Sequence, residues 1–136
     1  MELTPFLGIG NVIFGQTRNA IAQRVGAPET KTVNGNEEAW AYKLLRLELF
    51  FNEKHDLRLE KIISYHPYTL VLGFNPIGLK DTYLMHKFPN LVEGDGGSLD
   101  EPSLGLTFVF LRSMVTHVVM RPQIGVLKGT FVWPDD

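Results

Sequence analysis

His55, His66, His86 and His117 are the side chains of this chain best suited to acid–base or metal chemistry. No two of them stand at a zinc-ligand spacing, and no HExxH segment places a pair on one helix face. A catalytic histidine needs a nucleophile or a carboxylate in reach. Ser64, Ser98, Ser103 and Ser113 fall in expected turns or strands, and none has the glycine pattern of a nucleophile elbow. Glu93, Asp95, Asp100 and Glu101 cluster around glycines, but their register is not that of a calcium loop, and a partner-facing acidic patch is the better reading. Gly8, Gly10 and Gly15 miss the dinucleotide fingerprint, which needs a third glycine three residues after the second. These residues therefore predict neither an enzyme nor a cofactor or metal site. Function has to come from the scaffold.

That scaffold reads as a duplication. Phe14–Ile21 opens a short helical pattern that closes at Val25-Gly-Ala-Pro28. Thr17 is the expected N-cap, Gly26 suits the left-handed residue after a helix end, and Pro28 stops continuation. Residues 29–36 read as a polar loop with a turn at Asn34–Gly35. Strands are expected at Glu38–Tyr42, Leu45–Phe51 and Leu57–Tyr65, with an interruption or bulge at Lys61. A second pattern follows: a helix from Ile77 to Phe88, a flexible loop at 93–98, then strands at Leu104–Phe110 and Val115–Met120. The expectation is an α+β fold of two α-β-β-β repeats, with both short helices on one face of an antiparallel sheet. Repeat one spans about 1–66, repeat two about 67–121, and 122–136 is a C-terminal extension with an edge strand near Gly129–Trp133. All of it is expected to form one domain, since a half of that size would have a marginal core.

Bulk properties narrow the classes further. The chain has 136 residues, a net charge of −2 and 44% hydrophobic residues, as an ordinary globular protein has. It has no cysteine, which removes disulfides and thiolate metal sites. Lys and Arg are scattered rather than gathered in a stripe, so nucleic acid is not an expected partner. No apolar run is long enough to span a bilayer, and Glu2 stands where a signal peptide would carry positive charge. A cytoplasmic location is expected.

The remaining candidates are surface groups. In the strand Leu45–Phe51, Phe50 points opposite to Leu49 and Phe51 and shares its face with Arg46 and Glu48. Extending that face gives Arg58 and Glu60, and from the second repeat Thr107, Val109, Thr116, Val118 and Met120. An aromatic and arginines inside a polar surround is the composition of a protein-binding surface. The expected partner-binding residues are Arg46, Glu48, Phe50, Arg58, Glu60, Asp95 and Asp100, the acids steering a basic partner. The alternative is a small enzyme or ligand-binding protein with a pocket between sheet and tail around His66, Tyr68 and Trp133.

Gly15-x-Thr17, Ile21 and Gly26-x-Pro28 together resemble the opening of the BamE/SmpA type of outer-membrane assembly lipoprotein. The tandem layout resembles the related fold of β-lactamase inhibitory protein. The specific likeness covers the first third of the chain, and the lipidated cysteine of the lipoproteins is missing. What the resemblance implies is a scaffold for binding other proteins. A small acidic chain of this kind also looks like a bacterial immunity protein, which would neutralise a toxin domain by direct contact.

Overall fold

The computed structural model describes residues 1–134. The chain begins with three short strands, β1 (Glu2–Thr4), β2 (Gly8–Ile9) and β3 (Val12–Ile13), and then helix α1 (Arg18–Val25). An antiparallel meander follows: β4 (Thr30–Asn34), β5 (Glu37–Tyr42), β6 (Leu47–Asn52) and β7 (Arg58–Ser64). After β8 (Leu70–Val71) comes helix α2 (Asp81–Lys87) and a second meander, β9 (Val92–Glu93), β10 (Leu99–Glu101), β11 (Leu106–Leu111) and β12 (Met114–Met120). Strands β13 (Gln123–Ile124) and β14 (Phe131–Val132) close as a separate hairpin.

The expected α-β-β-β duplication is not what forms. The chain is mostly β, with 43% strand against 18% helix, and its main sheet has eight antiparallel strands in the order β4-β5-β6-β7-β12-β11-β10-β9. A second, mixed sheet runs β3-β2-β1-β8, with β1 and β8 parallel. The residues read as an extended lead-in supply three of its strands, and those read as a polar loop form β4, whose turn to β5 is at Gly35–Asn36. The β1–β2, β2–β3 and β4–β5 pairings are local hairpins, with Leu3 opposite Ile9 and Thr30 opposite Ala41, but their strands are too short or too polar to show an apolar period, and β8 joins the small sheet from a distance. The C-terminal strand pairs within its own hairpin and is not an edge of the main sheet.

Local signals hold at α1. The Thr17 hydroxyl accepts from the Ala20 amide at 3.2 Å, and Gly26 takes φ 83 at the other end. Both helices and the small sheet bury their apolar sides in one cluster: Ile21 from α1, Leu84 and Phe88 from α2, and Leu3, Ile9, Val12, Phe14 and Val71 around the small sheet. Tyr83 is 56% exposed, so Leu84 and Phe88 are what α2 and its end contribute. From the main sheet the cluster takes Trp40, Tyr42, Leu47, Leu49, Phe51, Leu59, Ile62, Leu106, Phe108, Val115, Val118 and Met120.

Two bulges decide which side chains those are. β7 carries one extra residue, Glu60, between the pairs Phe50↔Lys61 and Phe51↔Leu59. β12 carries another, Thr116, between Val109↔His117 and Phe110↔Val115. An extra residue reverses the alternation beyond it. Leu59 therefore points inward, but so do Ile62 and Ser64, while Ile63 and Tyr65 turn outward. Likewise Val118 and Met120 are buried inward and His117 and Val119 face out, opposite to the assignment expected from plain alternation.

The meanders meet at a short seam of three pairs, Ser64↔Val118, Ile63↔Val119 and Ile62↔Met120. Below it, the edge of β7 is completed by the segment before α1. The Gly15 amide donates to the Leu59 carbonyl at 3.0 Å, and the Leu59 amide donates to the Gln16 carbonyl at 2.9 Å. The Arg58 guanidinium reinforces this by donating to the Gly15 carbonyl at 2.8 Å.

Truncating Phe108→Ala, fully buried and stacked on Phe88 at 5.6 Å, should cost about 3–5 kcal/mol of stability in urea unfolding. Leu44→Ala, at a turn position 89% exposed, should stay within about 0.5 kcal/mol of the parent. Equal losses would contradict the layer assignment.

Candidate functional site

The outward face of the main sheet is the candidate site. One continuous cross-strand row runs across all eight strands: Thr30, Ala41, Glu48, Ile63, Val119, Thr107, Asp100 and Val92. Side chains opposite each other on one face of a sheet are in contact range. Flanking rows place Ala39, Phe50 and Lys61 on one side, and Tyr65, His117 and Val109 on the other.

Its centre is a polar-aromatic cluster over the seam. The rings of Tyr65 and His117 lie 4.6 Å apart, and Glu48 lies beside both. Burial, reinforced by the Glu48 carboxylate, pushes the Tyr65 hydroxyl up to about 12. Burial lowers His117 below the ordinary histidine value, and the Glu48 charge opposes that shift only in part. The Thr116 hydroxyl lies 2.9 Å from His117 Nδ1 and donates to the Val109 carbonyl at 3.2 Å. Thr116 is thus engaged on both sides and is not set up as a nucleophile.

Beside this cluster, Phe50 is sandwiched rather than presented. Ala39 stands opposite it on β5, and Lys61 Nζ lies 4.1 Å above its ring while also reaching Glu37 Oε2 at 3.9 Å. The ring is consequently only 9% exposed. The accessible aromatic of the face is Tyr65, at 38%, a residue that plain alternation puts in the core and only recognition of the Glu60 bulge brings out.

The predicted partner-binding residues divide. Glu48, Phe50 and Asp100 are on the outward face, Glu48 and Asp100 in the same row but four strands apart, roughly 19 Å at the usual strand spacing. Asp100 accepts from the Thr107 hydroxyl at 2.6 Å. Arg46 sits in the turn between β5 and β6 at φ 53, its carbonyl accepting from the Tyr65 amide. Arg58 braces Gly15 as described. Glu60 Oε2 lies 2.6 Å from His55 Nδ1, and both atoms are buried without another partner. His55 Nε2 in turn meets the Gly129 carbonyl at 2.8 Å, so this pair ties the β6–β7 turn to the C-terminal hairpin. Asp95 is exposed in the loop before β10. These seven residues do not form one patch.

The pocket expected around His66, Tyr68 and Trp133 does not assemble. His66 and Tyr68 are neighbours just after β7, with rings 5.9 Å apart, whereas Trp133 packs against Gly15. Among the described residues no three His, Asp or Glu side chains converge as metal ligands, and no helix is long and apolar enough to cross a membrane.

A proton titration of His117 followed by NMR should give a midpoint below the usual 6.5. Glu48→Gln should move that midpoint further down and bring Tyr65 back toward 10. Because the folded state holds His117 with a lowered pKa, its contribution to stability is complete above about 6.5 and is lost as pH falls through the folded midpoint. Relative to His117→Gln, the parent should therefore lose Tm on going from pH 7.5 to 5; an unchanged difference would contradict the placement of His117.

No family model matches the chain, and no curated protein matches it. Two solved structures share its fold. One is an extracellular protein containing an SCP domain from Bacillus anthracis, with a TM-score of 0.52 and 12% identity over 80% of this chain; the match spans only 44% of that longer chain. The other is a DUF4309 family protein, YjgB, from Bacillus subtilis, with a TM-score of 0.54, 13% identity and coverage of 85% of this chain and 84% of that one. At such identities the likeness is one of fold alone. Neither is described as a BamE-type lipoprotein or an immunity protein.

Proposed function

We propose that the chain is a protein-binding module that engages its partner through the outward face of the eight-stranded sheet. The observation that carries this reading is the asymmetry of the sheet. The helices and the small sheet bury their apolar sides in one cluster with the inward rows, while Ile63, Tyr65, Thr107, Val109 and His117 on the other face stay at least partly accessible. A face with Tyr65, His117, Ile63 and Val109 around the Glu48 carboxylate has the aromatic and apolar anchors and polar surround of a contact surface. Lys61 and Glu48 on adjacent strands would fix the partner's orientation by charge.

The partner we put forward is a toxin domain made by a neighbouring gene, with this chain as its inhibitor in the cytoplasm. The reading rests on the sequence argument and the accessible face. The extracellular SCP-domain neighbour offers it no support, since it shares only the fold. Binding of the purified neighbouring gene product, measured by calorimetry, should be weakened at least tenfold by Tyr65→Ala and by Glu48→Arg. Tyr83→Ala, on the exposed side of α2, should leave it unchanged. Binding that is insensitive to both sheet-face variants would remove the face assignment. No binding at all would remove the immunity reading.

A further inference from the structure

The structure holds a cavity that shares only Asp100 and Thr107 with the outward row of the main sheet. It has a volume of about 470 Å³, in the range of small-molecule sites, and lies where the C-terminal hairpin folds back against the ends of β10 and β11. Phe6, Leu106, Pro122 and Phe131 make its apolar wall, and Arg121, Gln123 and the Asp100–Thr107 pair are its polar residues.

The cavity is a built feature. Phe6 is held at φ 63, a conformation uncommon for a bulky residue, and its ring lies against Gly105. A Cβ at Gly105 would come within 2.8 Å of both that ring and the Arg121 carbonyl, so glycine is what allows the floor to close. The Arg121 amide donates to the Gly105 carbonyl at 3.0 Å, fixing where the chain leaves β12. Phe131 is locked between His55 at 4.7 Å and Trp133 at 5.4 Å.

The charges at its lining are not equivalent. The Asp100 carboxylate is engaged by the Thr107 hydroxyl at 2.6 Å. The Arg121 guanidinium is exposed and makes no hydrogen bond or ion pair among the described residues, although guanidinium groups are suited to bidentate capture of a carboxylate. An apolar cavity with one cation uncommitted among the described residues fits a ligand with an apolar body and an anionic end. We propose that this cavity binds a small apolar carboxylic acid, its carboxylate on Arg121 and its hydrocarbon body against Phe6, Leu106 and Phe131.

The test is an NMR titration of the full chain with decanoate and, separately, with decanol. Decanoate should shift the amides of Gly105, Thr107, Arg121 and Ile124 saturably, and decanol should bind at least tenfold more weakly. Arg121→Gln should reduce decanoate affinity at least fivefold and leave decanol unaffected, and Arg24→Gln, an exposed cation on α1, should change neither. Ile124→Asp, altering a wall position that is 76% exposed, should weaken both ligands without threatening the core. Equal affinity for acid and alcohol, an Arg121→Gln variant that binds as the parent does, or shifts confined to other surfaces would each overturn the proposal. None of these readouts involves Tyr65 or Glu48, so this site and the sheet-face reading fail separately.

Discussion

Everything in this molecule depends on three residue pairs. Ile62, Ile63 and Ser64 of β7 meet Met120, Val119 and Val118 of β12, and this seam alone makes one sheet of two meanders. It is short because β7 diverges below it, where the backbone of Gly15 and Gln16 takes over the free edge through Leu59. The segment that leads into α1 is thus bonded into the sheet, which anchors the helix over the core. The same alternation at the seam sends Ile62, Val118 and Met120 into the interior and Ile63 and Val119 to the opposite face. Core and candidate surface are set by one register.

The two bulges are what make that register work. Without Glu60, β7 would send Ile63 and Tyr65 inward and expose Ile62; without Thr116, β12 would expose Val118 and Met120. Each bulge therefore exchanges a whole set of side chains between faces, and each leaves its extra residue with a local task. Glu60 holds His55, and through it the C-terminal hairpin. Thr116 bonds the Val109 carbonyl across the strand pair and steadies His117. Bulges that re-aim side chains next to a site are a recurrent device of β proteins.

How much of this was legible in the sequence follows the range of the forces involved. The cap at Thr17, the stop at Gly26 and the alternation of Leu47, Leu49 and Phe51 are local effects, and each is present in the structure. His117 is half-buried beside Tyr65 and Glu48, a grouping that spacing along the chain does not report. Strands of two or three residues, such as β2, β3, β8 and β9, are too short to show a period, and the parallel pairing of β1 with β8 joins residues nearly seventy positions apart. Phase beyond a bulge cannot be read from alternation, which is why Val118 and Met120 were assigned to the wrong face and Tyr65 to the core. The predicted duplication failed for a different reason: the first meander is built of strands of five to seven residues, β4 to β7, whereas the second opens on the two- and three-residue strands β9 and β10, and the short N-terminal strands build a separate sheet with β8.

The account is tested most directly by solvent accessibility of adjacent side chains at the seam. A soluble paramagnetic agent should broaden the NMR methyl signals of Ile63 and Val109 strongly while sparing Ile62, the neighbour of Ile63 on β7, and Val118, the neighbour on β12 of His117, which pairs with Val109. Equal protection of all four would mean that another layer, or a second copy of the chain, covers the outward face. The view of that face as a free binding surface would then be wrong.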